Sequence, residues 1–463
     1  MTKFQKQMLT IAAAGALTAV TALPAMAFEN EFHGMFAVKT YLSNFDNGGL
    51  LLKENSKTNN YTDQRTRVQY IAKASDDLKL VTHFEMNTAW GGQTALAGID
   101  TNGGDIDTDG SNLVVKHAYL DFNIGKDLNV KAGQQAYKDK FGGLYVDADL
   151  PMAYVTYKRG AYTMGLGYSR FNDEDTLTVA GDSYKGATAG DLYALDNTFA
   201  INKDTQVGFS YYLNRDDSGN NGGAPVVNVE RKINTLGLFA KTKLGALDLS
   251  GFIAMQKGFS HDMAGINDVK YHGWATNVLA KMKLGNGMAR TGFLFTSGDN
   301  SDKAGSNHAW QTLSSNAASS AINSYNESGM MLLVRNTSMG GTSTDVYLRK
   351  PVTNIALLHA GYDAKLSEKL YANGNIGMAW LPSSDNEMGY TGSTTNGGSD
   401  ILGTELNVEL GYKLYSNLTL KAQAAYVLLG GAYNNRATSK AGVANSADPA
   451  DPFTLRLGAH YSF

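Results

Sequence analysis

The sequence predicts an all-β fold: a transmembrane antiparallel β-barrel of about 18 strands, within a range of about 16 to 20, with short turns at one end and long loops at the other. Three observations predict it. Apolar and polar residues alternate with period two over segments of ~9 to 13 residues, the length a tilted strand needs to cross hydrocarbon. Short and long connections alternate along the chain. Beyond the N-terminus, no segment approaches the ~18 consecutive apolar residues of a spanning helix.

Taken in chain order, the first element is a leader. Lys3 and Lys6 precede an uncharged run from Met8 to Leu23 and the triplet Ala25, Met26, Ala27. That layout is a secretory signal peptide, with cleavage expected after Ala27, so that residues 28–463 form a single barrel domain. Near the start of that domain, Leu78, Leu80, Phe84, Met86 and Trp90 oppose Lys79, His83, Glu85 and Asn87. Further on, Leu402, Leu406, Val408, Leu410, Tyr412 and Leu414 oppose Glu405, Asn407, Glu409 and Lys413. The set Leu418, Leu420, Ala422, Ala424, Tyr426 and Leu428 opposes Thr419, Lys421, Gln423, Ala425 and Val427. The last eleven residues, Phe453 to Phe463, alternate throughout. A helix would scramble each pair of sets, whereas a strand keeps them on opposite faces.

The short connections are built of turn residues, among them Asp76-Asp77, Gly125 to Asp127, Arg159-Gly160, Asn202 to Asp204, Gly285 to Gly287 and Tyr415 to Asn417. The long ones are polar and span 43–61, 92–111, 138–152, 172–188, 215–229, 257–268, 299–353, 381–399 and 430–451. Short turns are expected on the periplasmic side and long loops outside the cell. Beyond the leader, every proline is expected in or beside a long loop, because proline cannot donate to a sheet ladder. Within 299–353, the runs 330–334 and 345–348 read as extra β structure, which is why the strand count has a range.

Composition agrees. With 51 Gly and 25 Tyr against 7 Pro, the chain suits many strands joined by turns. Hydrophobic residues are 43% of the total, yet the mean hydropathy is −0.26, as expected where alternate residues face water. There is no cysteine, which excludes disulfides, thiolate metal sites and haem attached through C-x-x-C-H. The formal charge is −3, and no basic patch suggests nucleic acid.

The closing strand FTLRLGAHYSF, ending at Phe463, resembles the signal that barrel assembly machinery reads in bacterial outer-membrane proteins. The stretches Val115 to Asn123 (VKHAYLDFN) and Val130 to Gln135 (VKAGQQ) resemble the porins of metal-reducing deltaproteobacteria. This resemblance implies a monomeric or homotrimeric channel among the lipid and lipopolysaccharide of a Gram-negative outer membrane, with no defined solute. In many general porins the third outer loop folds into the pore. Here that loop is 138–152, with Lys138, Asp139, Lys140, Asp147 and Asp149 as constriction residues.

Parity assigns Arg65, Arg67, Lys73, Glu85, Asp121, Lys131, Glu405 and Glu409 to the pore lining, charges that a wet lumen tolerates and a dry core does not. Bases outnumber acids on the inward faces, which predicts a weak anion preference. Asp105, Asp107 and Asp109 before Gly110 match the first half of a calcium loop. The twelfth position is Lys116 rather than Glu, so no EF-hand is supported, and the choice lies between loop-bound calcium and a solvated acidic loop. His33 and His460 are expected inward near one rim, and His83 and His117 inward on successive strands. Neither G-x-S-x-G nor H-E-x-x-H occurs, which argues against an enzyme. No cofactor is required. The expectation is a porin passing small hydrophilic solutes and ions by diffusion. The alternatives are a substrate-specific transporter, which would carry an internal plug, and a sheath for an outer-membrane cytochrome.

Overall fold

The computed structural model describes residues 29–45, 58–91, 113–173, 177–179, 182–184, 189–216, 229–262, 268–300, 305–313, 322–338, 346–383, 399–434 and 448–463. The leader and Asp105, Asp107 and Asp109 lie outside the described residues.

Eighteen strands form the wall: β1 Glu29–Ser43, β2 Asn59–Ser75, β3 Leu78–Ala89, β4 Leu113–Ile124, β5 Leu128–Lys138, β6 Asp147–Arg159, β7 Tyr162–Asp173, β8 Ala189–Ala200, β9 Thr205–Asp216, β10 Val229–Leu244, β11 Leu247–Asp262, β12 Trp274–Leu284, β13 Gly287–Thr296, β14 Ile355–Lys365, β15 Leu370–Trp380, β16 Ile401–Tyr415, β17 Leu418–Leu429 and β18 Phe453–Ser462. Each pairs antiparallel with its sequence neighbours, and β1 pairs with β18 from Met35 opposite Ser462 to Ser43 opposite Thr454. Phe463 completes the seam by exchanging two backbone hydrogen bonds with Gly34, at 2.9 and 3.0 Å. Closure leaves no strand edge, which hydrocarbon demands because it offers backbone groups no partners.

The predicted short turns all join consecutive strands. Gly125, Gly160 and Gly245 sit in them with φ of +66°, +58° and +63°, and a Cβ there would meet nothing within 4 Å. Glycine is required at these positions by backbone conformation rather than by space.

The outer face is apolar. Along β16, Leu406, Val408, Leu410 and Tyr412 are exposed while Glu405, Asn407, Glu409 and Gly411 between them are buried. The ring pairs Phe32–Tyr70, Tyr162–Phe199 and Tyr461–Phe463 sit towards the short-turn end, where an aromatic girdle is expected. Among the described residues no helix is long and apolar enough to cross a membrane.

Two details depart from simple alternation. Parity put Leu402 on the outer face, but it is only 2% exposed, because a bulge at Gly403 (φ +147°) shifts the β15–β16 register and turns it inward. Pro151, expected in a loop, lies within β6 opposite Gln134 of β5. Pairing of β6 with β7 begins only at Met152, so Pro151 faces the side where no ladder bond is asked of it.

Candidate functional site: a lumen narrowed by two interlocked loops

The barrel is not an open tube. The connection 139–146 between β5 and β6 and the described parts of 297–354 between β13 and β14 fold inward and pack on each other. Trp310 donates its indole N–H to the Leu144 carbonyl at 3.3 Å, and the Asn323 amide donates to the same oxygen at 3.0 Å. Backbone bonds run from Leu313 to Tyr145, from Ser324 to Gly143 and from Asp147 to Ile322. Phe141, Leu144, Tyr145, Trp310, Tyr325 and Met330 to Val334 are almost wholly buried. Tyr145 stacks on Tyr212 of β9, and Phe141 packs against Phe252 of β11, so the insertion is bound to the wall on that side.

The run Met330 to Val334 shows why the loop stays inside. A solvated loop would not carry five consecutive apolar residues; here they meet the wall and each other. Part of the predicted extra β structure is present as a parallel bridge between Val334 and Arg349, flanked by bonds from Leu348 to Leu332 and from Arg349 to Leu333. Their backbone is held from the wall by Glu405. Its carboxylate accepts the N–H groups of Met331 (2.6 Å), Leu332 (3.0 Å) and Leu333 (2.7 Å) and the side-chain amide of Asn407 (2.6 Å). Parity read Glu405 as pore lining; it is fully buried beneath the loop and is an anchor instead.

Asp139 does the same for the shorter loop. Expected at the constriction, it is buried and turned into its own loop, accepting N–H groups from Phe141, Gly143, Tyr145 and Val146 at 2.6 to 3.2 Å. Burial pushes its carboxyl up to about 6 against the pull of those four donors. Lys138 lies 3.5 Å from Asp147, which also accepts from Ser324, so this pair ties the two loops together. Lys140 donates its backbone N–H to the Tyr212 hydroxyl at 3.0 Å. On the long loop, burial and the neighbouring Arg335 hold the Lys350 amine below its usual range.

The opposite wall, β1 to β5 with β16 to β18, carries the remaining predicted residues. Arg65 and Arg67 share Glu85, at 3.3 and 2.6 Å. Lys79 and Lys131 share Asp121, at 3.4 and 3.9 Å. Lys73 is bound by Glu31 and lies 3.8 Å from Glu29. Glu409 accepts from Tyr371 and Gln423 and lies 3.5 Å from Lys421. His33 and His460 do not meet: His460 stands opposite Ala37, four residues along β1, and His33 lies 3.5 Å from Glu31. His83 and His117 do meet, directly opposite in register, and Asp149 bonds to His117.

Solved structures with this architecture span nearly the whole chain. A BenF-like porin from Pseudomonas fluorescens Pf-5 superposes with a TM-score of 0.53 at 13% identity, covering 94% of this chain and 98% of that one. The fold is that of outer-membrane porins. OccK9 (OpdG) of Pseudomonas aeruginosa gives 0.56 at 12% identity, with the same two coverages. OpdK of Pseudomonas aeruginosa, solved with vanillate, gives 0.51 at 12% identity, again covering 94% and 98%. The resemblance to deltaproteobacterial porins has no counterpart among these neighbours. No family model matches the sequence, and no curated protein matches it either.

Proposed function

We propose that the chain is a channel of the Gram-negative outer membrane that passes small hydrophilic solutes passively and selects among them at the interlocked loops. The observation that carries this reading is the joining of 139–146 to the described parts of 297–354 inside the barrel, anchored by Glu405. An 18-stranded wall alone would enclose a wide aqueous lumen. A general diffusion pore has no need of a second buried loop core, whereas a selective one needs a narrow, rigid passage lined by fixed groups. The fold shared with channels such as OpdK, solved with vanillate, supports the selective form.

The inserted loops also occupy space that a cytochrome would need, which disfavours a sheath for an electron conduit. A role without catalysis agrees with the porin fold. The wall favours a weak preference for anions: Arg65 and Arg67 share Glu85 and Lys79 and Lys131 share Asp121, which outweighs the one place where Lys73 stands between two carboxylates, Glu29 and Glu31. Planar-bilayer recording tests both parts. The expected result is a small single-channel conductance, reduced further by a preferred solute, with a reversal potential in a KCl gradient on the anion side. A large ohmic conductance indifferent to solutes would refute selection, and cation selectivity would refute the charge reading.

A further inference from the structure

The pair His83 and His117 goes beyond a solvated lumen. The two residues stand opposite each other on β3 and β4, with their Nδ1 atoms 3.2 Å apart. A bulge makes this arrangement. The β3–β4 register shifts between His83 and Phe84, so that Lys116 is the extra residue and both Lys116 and His117 reach Asp149 on β6. Bulges re-aim side chains in this way, and they cluster at sites.

We infer that His83 and His117 form a two-imidazole site for a divalent transition-metal ion at the wall of the lumen, with Asp149 as its positioning residue. Distance is the first argument. Two imidazole nitrogens bound to one ion at ~2.0 to 2.1 Å in tetrahedral geometry lie about 3.3 Å apart, so the two nitrogens already stand at the required bite. Proton placement is the second. Asp149 Oδ1 lies 2.8 Å from His117 Nε2 and accepts its N–H, which leaves the Nδ1 lone pair directed at His83. A carboxylate on the far nitrogen of a ligating histidine fixes its tautomer and raises its basicity. Without metal, the Nδ1–H of His83 donates to His117; on binding, that proton moves to Nε2 of His83 and both Nδ1 atoms face the ion.

Charge sets the strength and the class. Arg67, Lys116 and Glu85 all act on His83, but Arg67 is paired with Glu85 and Lys116 with Asp149. Two neutral imidazoles with no carboxylate in direct contact favour Zn²⁺, Cu²⁺ or Ni²⁺ over Mg²⁺ or Ca²⁺, which prefer oxygen. Water or a solute completes the coordination. A two-ligand site is weak, as suits a passage whose occupants must leave again.

The test is Cu²⁺ and Zn²⁺ titration of the full-length, tag-free protein in detergent, with Cu²⁺ electron paramagnetic resonance to count nitrogen ligands. The expected result is one ion per chain with two-nitrogen coupling, lost in His83→Ala and in His117→Ala but kept in His261→Ala and His308→Ala. Asp149→Asn, with both ligands intact, should weaken binding ~10- to 100-fold. Heat-dependent gel mobility and circular dichroism identify variants that still form the barrel. No stoichiometric binding by the wild type, or binding that survives in folded His83→Ala and His117→Ala, would overturn the assignment.

Discussion

Replacing Glu405 by alanine should release the long loop from the wall and widen the channel without undoing the barrel. The carboxylate accepts three consecutive backbone N–H groups, at 2.6, 3.0 and 2.7 Å, and the Asn407 amide at 2.6 Å, all in a fully buried site. Bonds to a charged acceptor are worth ~1.5 to 3 kcal/mol each, and a buried donor left without a partner costs ~1 to 3 kcal/mol. Three orphaned N–H groups therefore oppose docking by about 3 to 9 kcal/mol, less whatever water restores on entering the gap. Apolar packing of Met330 to Val334 resists release, but its backbone would then be buried without partners, so the run should swing towards the mouth. Two measurements follow this change. Single-channel conductance should rise severalfold, and a protease added from the long-loop side should cut within 322–338 in the variant but not in the wild type. Glu405→Gln keeps one acceptor oxygen and should fall between the two. Unchanged conductance together with unchanged protease resistance in a folded Glu405→Ala protein would refute the anchoring role.

Three further outcomes can be checked. Asp139, raised from 3.8 to about 6 by burial, holds its proton more tightly in the docked loop than in a released one. Docking is therefore strongest below pH ~4 and weakens as pH rises through ~6, by on the order of 3 kcal/mol in total; hydrogen exchange of 139–146 should follow that slope in the wild type and stay flat in Asp139→Asn, and protection that increases with pH would contradict it. Glu85→Gln removes the carboxylate that Arg65 and Arg67 share, so the zero-current potential in a salt gradient should move towards anions, and an unchanged potential would show that these arginines do not face the ion path. Gly34→Val puts a Cβ 2.5 Å from the Arg67 carbonyl and 2.5 Å from the Phe463 ring, where β1 meets the chain end; it should abolish the heat-dependent gel mobility of the assembled barrel, and normal mobility would mean that the seam tolerates bulk.

The wall was legible in the sequence because its physics is local. A side chain's face follows from its parity, and each short turn declares itself in two to four residues, so the strands and the short turns between them could be read directly. Parity failed where one residue was inserted, at Leu402 beside Gly403, since a bulge leaves composition untouched and only reverses the faces beyond it. The lumen was less legible because its contacts are long-range. Glu405 looks like any inward acid of a wet wall until Met331 to Leu333, more than seventy residues earlier, are placed on it. Signals for the insertion were nonetheless present. Phe141, Leu144, Tyr145 and Val146 lie in the loop that the resemblance folds into the pore, and Met330 to Val334 in a run that reads as extra β structure; both are apolar runs in otherwise polar connections. A loop at the end of a barrel has only two ways to hide such a run, against lipid or inside the lumen. Lipid would strand the loop's backbone donors, as irregular backbone tolerates membrane depth only where protein buries it. The lumen wall offers Glu405, and the shorter loop its own Asp139, to receive those donors, so the apolar runs and the two buried acids are one device. The features that make Glu405 look like pore lining, inward parity and charge, are what let it hold the plug.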